Sequence, residues 1–146
     1  RFLRLWANGA DEADDARLRE YVLAMRPHLA FMPHGNDSNR THRRVYRSFD
    51  AIARAEGLAL WAFLNRDAKT DSMRLDLYCD FDEEEARWKA SLLRLHRSQQ
   101  ARNLNTRNMG FDDRVLAMNR ESARLVGAAL PYAECFELQR YSGAHG

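Results

Sequence analysis

The sequence predicts an α/β domain, a layered sheet with helices on its faces, and three observations predict it. Short apolar runs alternate along the chain with longer stretches whose apolar residues recur at helical spacing. The helical stretches open on acid and close on Gly or Pro: residues 11–15 open one that Pro27 closes, and Asp112 with Asp113 opens one that ends about Gly127. One connection, residues 31–46, crowds imidazole, carboxylate and amide groups between the end of an apolar run and the start of a helical period. In open α/β sheets that is where ligands bind, at the carboxyl ends of the strands.

A chain of 146 residues, 45% hydrophobic and 30% charged, is expected to fold as one domain, residues 1–146, with a core of its own. The formal charge of +2 argues neither for nor against a polyanionic partner. No apolar run approaches the roughly 20 residues of a membrane helix, and no signal-peptide pattern is present, so a cytoplasmic protein with no membrane partner is expected. Cys79 and Cys135 form no C-x-x-C unit, which argues against a zinc-thiolate or redox motif and for core or half-buried thiols, with a disulfide left open. The chain opens on Arg1 rather than Met and runs straight into apolar residues, as a trimmed chain does.

Taken in order, the elements begin with a strand over 2–6 and a turn at Ala7, Asn8 and Gly9. A helix follows to about Arg26, with Leu18, Tyr21, Val22 and Met25 as its apolar stripe. Residues 29–32 are a second strand, apolar on both faces as a strand covered on both sides should be. Thr41 is the expected N-cap of a helix carrying Val45, Phe49, Ile52 and Ala53, with Gly57 at its C-terminus. A strand over 58–64 comes next, then one over 73–79 whose apolar and polar residues alternate, as nearer a sheet edge. The helix opening on residues 82–85 presents Trp88, Leu92 and Leu95 on one face. Residues 96–110 read as a long polar loop, functional or mobile. The last helix turns Val115, Ala123 and Val126 inward, and a strand over 132–138 precedes a frayed tail.

The chemistry concentrates at His34, Asp37, Asn39 and His42. His42 begins a helix, whose positive end disfavours imidazolium and keeps a lone pair available to a metal. Such a set can hold zinc or orient a ligand whose other contacts come from further along the chain. The same residue types also serve any turn into a capped helix, because they bond their own backbone. A second group, His96, Ser98 and Gln99 followed by Asn103, Asn105 and Arg107, offers donors and acceptors suited to a polyhydroxylated ligand, or is simply a solvated helix end. Residues 87–107 are rich in cations and amides but lack interleaved aromatics and any nucleic-acid motif, so nucleic acid is not the expected partner. Ser48 and Ser98 stand in no G-x-S-x-G setting.

Three stretches, in this order, carry a family likeness. They are Pro33-His-Gly-Asn-Asp-Ser-Asn-Arg-Thr-His42-Arg, Leu95-His-Arg-Ser-Gln99 and Pro131-Tyr-Ala-Glu-Cys-Phe-Glu137. The chain resembles the latter part of the LmbE-like (PIG-L) zinc-dependent N-deacetylases, whose motifs are a strand-end H-P-D-H-R, a helix-end h-x-S-Q and a closing Y-A-E-x-F. The resemblance implies a Rossmann-like sheet, as a partial domain, with zinc at the carboxyl ends of its strands. It implies His42 as a metal ligand, His34, His96, Ser98 and Gln99 on the substrate side, and removal of an acyl group, acetyl above all, from an N-acylated amino sugar or similar amide.

Two departures qualify it. The family's A-H-P-D-D segment, source of two zinc ligands and the general base, is absent from these residues, so a missing N-terminal segment of the same protein is the implied partner, and the 146 residues alone are expected to be inactive. In the H-P-D-H position the chain reads Asn39-Arg-Thr-His42, so Asn39 replaces the first histidine: it can donate to a developing oxyanion but cannot act as a general acid, which passes that role to Asp37 or His34. The same departures suggest an alternative, a non-catalytic carbohydrate- or protein-binding module of the same fold.

Overall fold

The computed structural model describes residues 12–143, and the strand expected over 2–6, the turn after it and the end of the chain from residue 144 lie outside them. The elements run α1 (Glu12–Met25), β1 (Leu29–Pro33), α2 (Arg40–Ala55), β2 (Ala59–Asn65), β3 (Leu77–Phe81), α3 (Glu83–Arg94), α4 (Arg97–Arg107), α5 (Phe111–Val126) and β4 (Tyr132–Ser142). Four strands form one sheet in the order β1-β2-β4-β3, parallel between β1 and β2 and antiparallel between β3 and β4. This is the α/β layered fold that the sequence predicts. No helix among the described residues is long and apolar enough to cross a membrane.

Packing divides the chain into two compact units. One comprises the described residues up to Asn65, with Lys69–Met73 and the residues from Glu137 on; the other comprises Arg66–Ala68 and Arg74–Phe136.

In the first unit, β1 and β2 pair from Leu29 opposite Trp61 to Pro33 opposite Asn65, so the two parallel strands end at the same level. Val22 of α1, Met32 of β1, Phe49, Ile52 and Ala53 of α2, Leu60, Ala62 and Leu64 of β2 and Tyr141 of β4 form the core. The alternation of Leu60, Ala62 and Leu64 follows from the two-residue period of a strand with one face on that core. Two expectations change. Met25 is exposed, so the stripe of α1 is Leu18 and Val22; and β1 is not covered on both sides, since Leu29 is 53% and Phe31 67% exposed. Among the described residues β1 stands at one end of the sheet, and Phe31 pairs its ring with Phe63, 4.8 Å away. Gly57, at φ 57°, ends α2 in the left-handed conformation that glycine adopts without strain.

In the second unit, Tyr132–Phe136 of β4 pairs with Leu77–Phe81. β3 therefore starts four residues later than its sequence pattern suggests; Leu75 packs instead against Ala123, Ala133 and Cys135. Asp82 caps α3 through a capping box, accepting the Glu84 and Glu85 N–H groups while the Glu85 carboxylate accepts the Asp82 N–H. The face of α3 that packs inward is small, Ala86 and Ala90, and the expected apolar face of Trp88, Leu92 and Leu95 is exposed. The expected loop over 96–110 is largely helix. Its Arg, Gln and Ala residues favour helix, and its polar side chains bond the preceding turn, Asn103 Nδ2 to the Gln99 carbonyl and Thr106 Oγ1 to the Arg102 carbonyl. Asn108 ends it in the left-handed conformation. Cys79 is exposed, Cys135 is buried, and both are free thiols.

Candidate metal centre

The connection after β1 folds because its side chains replace backbone partners. Asp37 Oδ1 accepts the Asn39 N–H at 2.6 Å, and Asn39 Oδ1 accepts the Thr41 N–H at 3.0 Å. Asn39, not Thr41, is thus the N-cap of α2, and Thr41 lies within its first turn. Arg43 reaches back to the Asp37 carbonyl at 2.9 Å and closes the turn.

The connection that leaves β2 binds this turn edge to edge. Ser38 N–H donates to the Lys69 carbonyl and Asp71 N–H to the Asn36 carbonyl, while the Asn36 amide donates to the Ser72 carbonyl and hydroxyl. A bridge between Asp37 and Thr70 completes the seam.

Two histidine–carboxylate pairs stand in this connection. His42 Nδ1 lies 2.7 Å from Asp37 Oδ2, whose side chain is fully buried. With the Nδ1 proton donated there, the neutral ring carries its lone pair on Nε2, the tautomer that carboxylate partners impose on metal-binding histidines. His34 is the second. Its Nδ1 accepts the Asn36 N–H at 2.9 Å, so its proton sits on Nε2 and is donated to Glu137 Oε2 at 3.2 Å. Both His34 nitrogens are engaged, and its ring stacks on Tyr46 at 6.5 Å. Gly35 permits this packing, since a Cβ there would stand 2.4 Å from Tyr46 Cδ1.

A polar layer continues along β4 and α2. Tyr46 donates to Gln139, and the Gln139 amide donates to Asp50 and to the Tyr141 oxygen; Tyr141 itself donates to Asp50, which also accepts from Arg54. Burial, then the negative Asp50 beside it, pushes the Tyr46 hydroxyl above the usual tyrosine range, and burial with the Asp50 hydrogen bond pushes Tyr141 well above it. Burial alone would raise the Asp50 carboxyl, but the hydrogen bonds from Arg54, Tyr141 and Gln139 outweigh it and hold the group below the usual carboxylate range.

Within this unit His42 is the side chain that could present a ring nitrogen to a metal ion, its other nitrogen being held by Asp37, and one imidazole supported by a carboxylate suits a zinc-type centre. Glu137, which holds the ring of His34, lies 103 positions from it, and no local pattern of the sequence pairs the two.

Of the other expected site residues, His34, Asp37 and Asn39 share the turn with His42. His96, Ser98 and Gln99 belong to the second unit, where His96 is the residue before α4, edge-on to Phe111 at 6.2 Å, and all three are exposed.

Fold and donor set together describe an α/β protein with a candidate metal centre at its strand ends. The structure is similar to that of the A40926 pseudoaglycone deacetylase Dbv21, with a TM-score of 0.54 and 20% sequence identity over 90% of this chain. The match covers 57% of that protein, so the chain spans little more than half of its length. At this identity the likeness is one of fold. No family model matches the chain, and no curated protein matches it in sequence.

Proposed function

We propose that the chain is part of a zinc-dependent amide hydrolase that removes an acyl group, acetyl above all, from an N-acylated amino sugar or similar amide. The observation that carries this reading is the Asp37–His42 pair, a carboxylate-oriented imidazole at the end of a parallel strand, in a fold shared with a deacetylase. Zinc would be held by His42 through Nε2 and would supply the polarisation of the acyl carbonyl and an acidified water. Asp37 fixes the His42 tautomer and ring plane. Asn39 uses Oδ1 as the cap of α2, which leaves its Nδ2 amide as the donor for a developing oxyanion. His34, held by Glu137 and the Asn36 N–H, keeps the turn in place beside the substrate. The general base is assigned to an N-terminal segment of the same protein, because these residues contain no A-H-P-D-D.

The test is made on the full-length protein. It should carry about one zinc per chain and release acetate from an N-acetylated amino sugar, with both lost to a chelator and regained on adding zinc. Stoichiometric protein free of metal after growth in zinc, with no acetate released, would contradict the reading and favour the alternative, a binding module that kept the fold without the chemistry.

A further inference from the structure

The two-residue period of β4 puts Glu137, Gln139 and Tyr141 on one face of the strand, and each has a polar partner in the first unit. Gln139 accepts from Tyr46 and Tyr141 donates to Asp50, which ties β4 to α2. Glu137 differs, because its partner is His34, in the turn that carries Asp37 and His42. Its side chain is only 16% exposed. Desolvating a carboxylate is costly, and apolar residues in place of a buried polar pair often serve stability as well or better. Stability is therefore a poor reason for an acid at this position.

What the carboxylate does is choose a tautomer. His34 Nδ1 faces the Asn36 N–H at 2.9 Å, a bond that needs the lone pair on Nδ1. A ring with its proton on Nδ1, or on both nitrogens, would set donor against donor. Glu137 Oε2, 3.2 Å from Nε2, supplies the acceptor that holds the proton on the other side. Asn36 is then fixed three ways: its N–H to His34, its carbonyl by the Asp71 N–H at 3.0 Å, and its amide to Ser72. The next residue is Asp37, whose Oδ2 holds His42 Nδ1 at 2.7 Å. One carboxylate orients His42, and the other secures the peptide that places the first.

We propose that Glu137 is a positioning residue of the candidate metal centre. Acting through His34 and the Asn36 N–H, it sets the turn that carries Asp37, and so the direction in which His42 presents Nε2. Its effect on zinc rests on the function proposed above; its effect on the turn does not.

A double-mutant cycle on the full-length protein tests it. In the metal-free wild type, imidazole ¹⁵N–¹H spectra should show His34 protonated on Nε2 and His42 on Nδ1. Glu137→Leu should cost His34 its single tautomer, shift the His42 signals, and lower zinc affinity about 10–100-fold in a chelator competition. Glu137→Gln keeps the shape but can turn either its oxygen or its NH₂ to Nε2, and should reproduce these effects in smaller measure even if the leucine variant does not fold. His34→Asn sets an amide oxygen near the place of Nδ1 and keeps an acceptor for the Asn36 N–H without help from β4. In that background the Glu137 substitutions should change neither the His42 signals nor zinc affinity. A His34 that keeps its tautomer without Glu137, His42 signals that stay in place, or an equal effect in the His34→Asn background would overturn the proposal. A wild-type protein that binds no zinc would contradict the proposed function instead, and the His42 signals would still decide on Glu137.

Discussion

Residues 34–44 and 96–108 are alike in composition, each mixing histidine, asparagine, serine, threonine and arginine, and they fold to different ends. The first closes into a turn in which both histidines are held by carboxylates, Asp37 and Glu137. The second contains no carboxylate and becomes helix; its asparagine and threonine bond the turn before them, and Gln100 reaches Asp112 and the Phe111 N–H. The difference teaches that histidine and amide content does not make a site. A carboxylate that fixes one ring nitrogen does, because it decides which nitrogen presents its lone pair and in what direction.

Several changes would break or sharpen this contrast. The largest effect is expected from His42→Ala in the full-length protein, which should remove metal and turnover together, whereas His96→Ala should leave the zinc content intact. Equal loss in both, measured by elemental analysis and acetate release, would erase the distinction. Next is Gly35→Ala, which drives a methyl group into the Tyr46 ring and should lower stability by about 1–3 kcal/mol, read from chemical denaturation. Asp37→Asn keeps the shape of the turn but loses the charge that orients His42, and zinc affinity should fall about 10–100-fold; a competition titration with a chromophoric chelator measures it, and an unchanged affinity would remove Asp37 from the centre.

A smaller effect concerns acid. Burial by itself would raise the Asp112 carboxyl, yet the hydrogen bonds from Gln100 and Arg94 hold it below the usual range, as the partners of Asp50 do in the first unit. A depressed folded-state pKa means stability that is fully present above the unfolded value of about 4 and is lost as the pH falls through the folded value. Melting temperature against pH should therefore drop below about pH 4, and Asp112→Asn should flatten that slope. The smallest effect is assigned to Asn103→Ala. It removes the hydrogen bond to the Gln99 carbonyl, but also a buried Asn103 Oδ1 that has no partner, so the net change should stay within about 1 kcal/mol.

Much of the fold was legible because it rests on local rules. Acidic first turns, Pro27 and Gly57 marked helix ends, and the strand–helix alternation announced the layered sheet. His42 with Asp37 was legible for the same reason, since five residues separate them. Glu137 was visible only as part of a closing motif; its bond to His34 joins residues 103 positions apart. The face of α3 was misjudged on different grounds. Periodicity shows that Trp88, Leu92 and Leu95 share a side, but not that the core beneath the helix has room only for Ala86 and Ala90.

The central claim is that His42, oriented by Asp37, is an imidazole ligand of a zinc centre built otherwise from oxygen. X-ray absorption at the zinc edge of the metal-loaded full-length protein tests it most directly. The account predicts nitrogen and oxygen neighbours alone at about 2.0–2.2 Å, with imidazole scattering in the outer shells. Sulfur at about 2.3 Å, or a spectrum with no imidazole scattering, would contradict it.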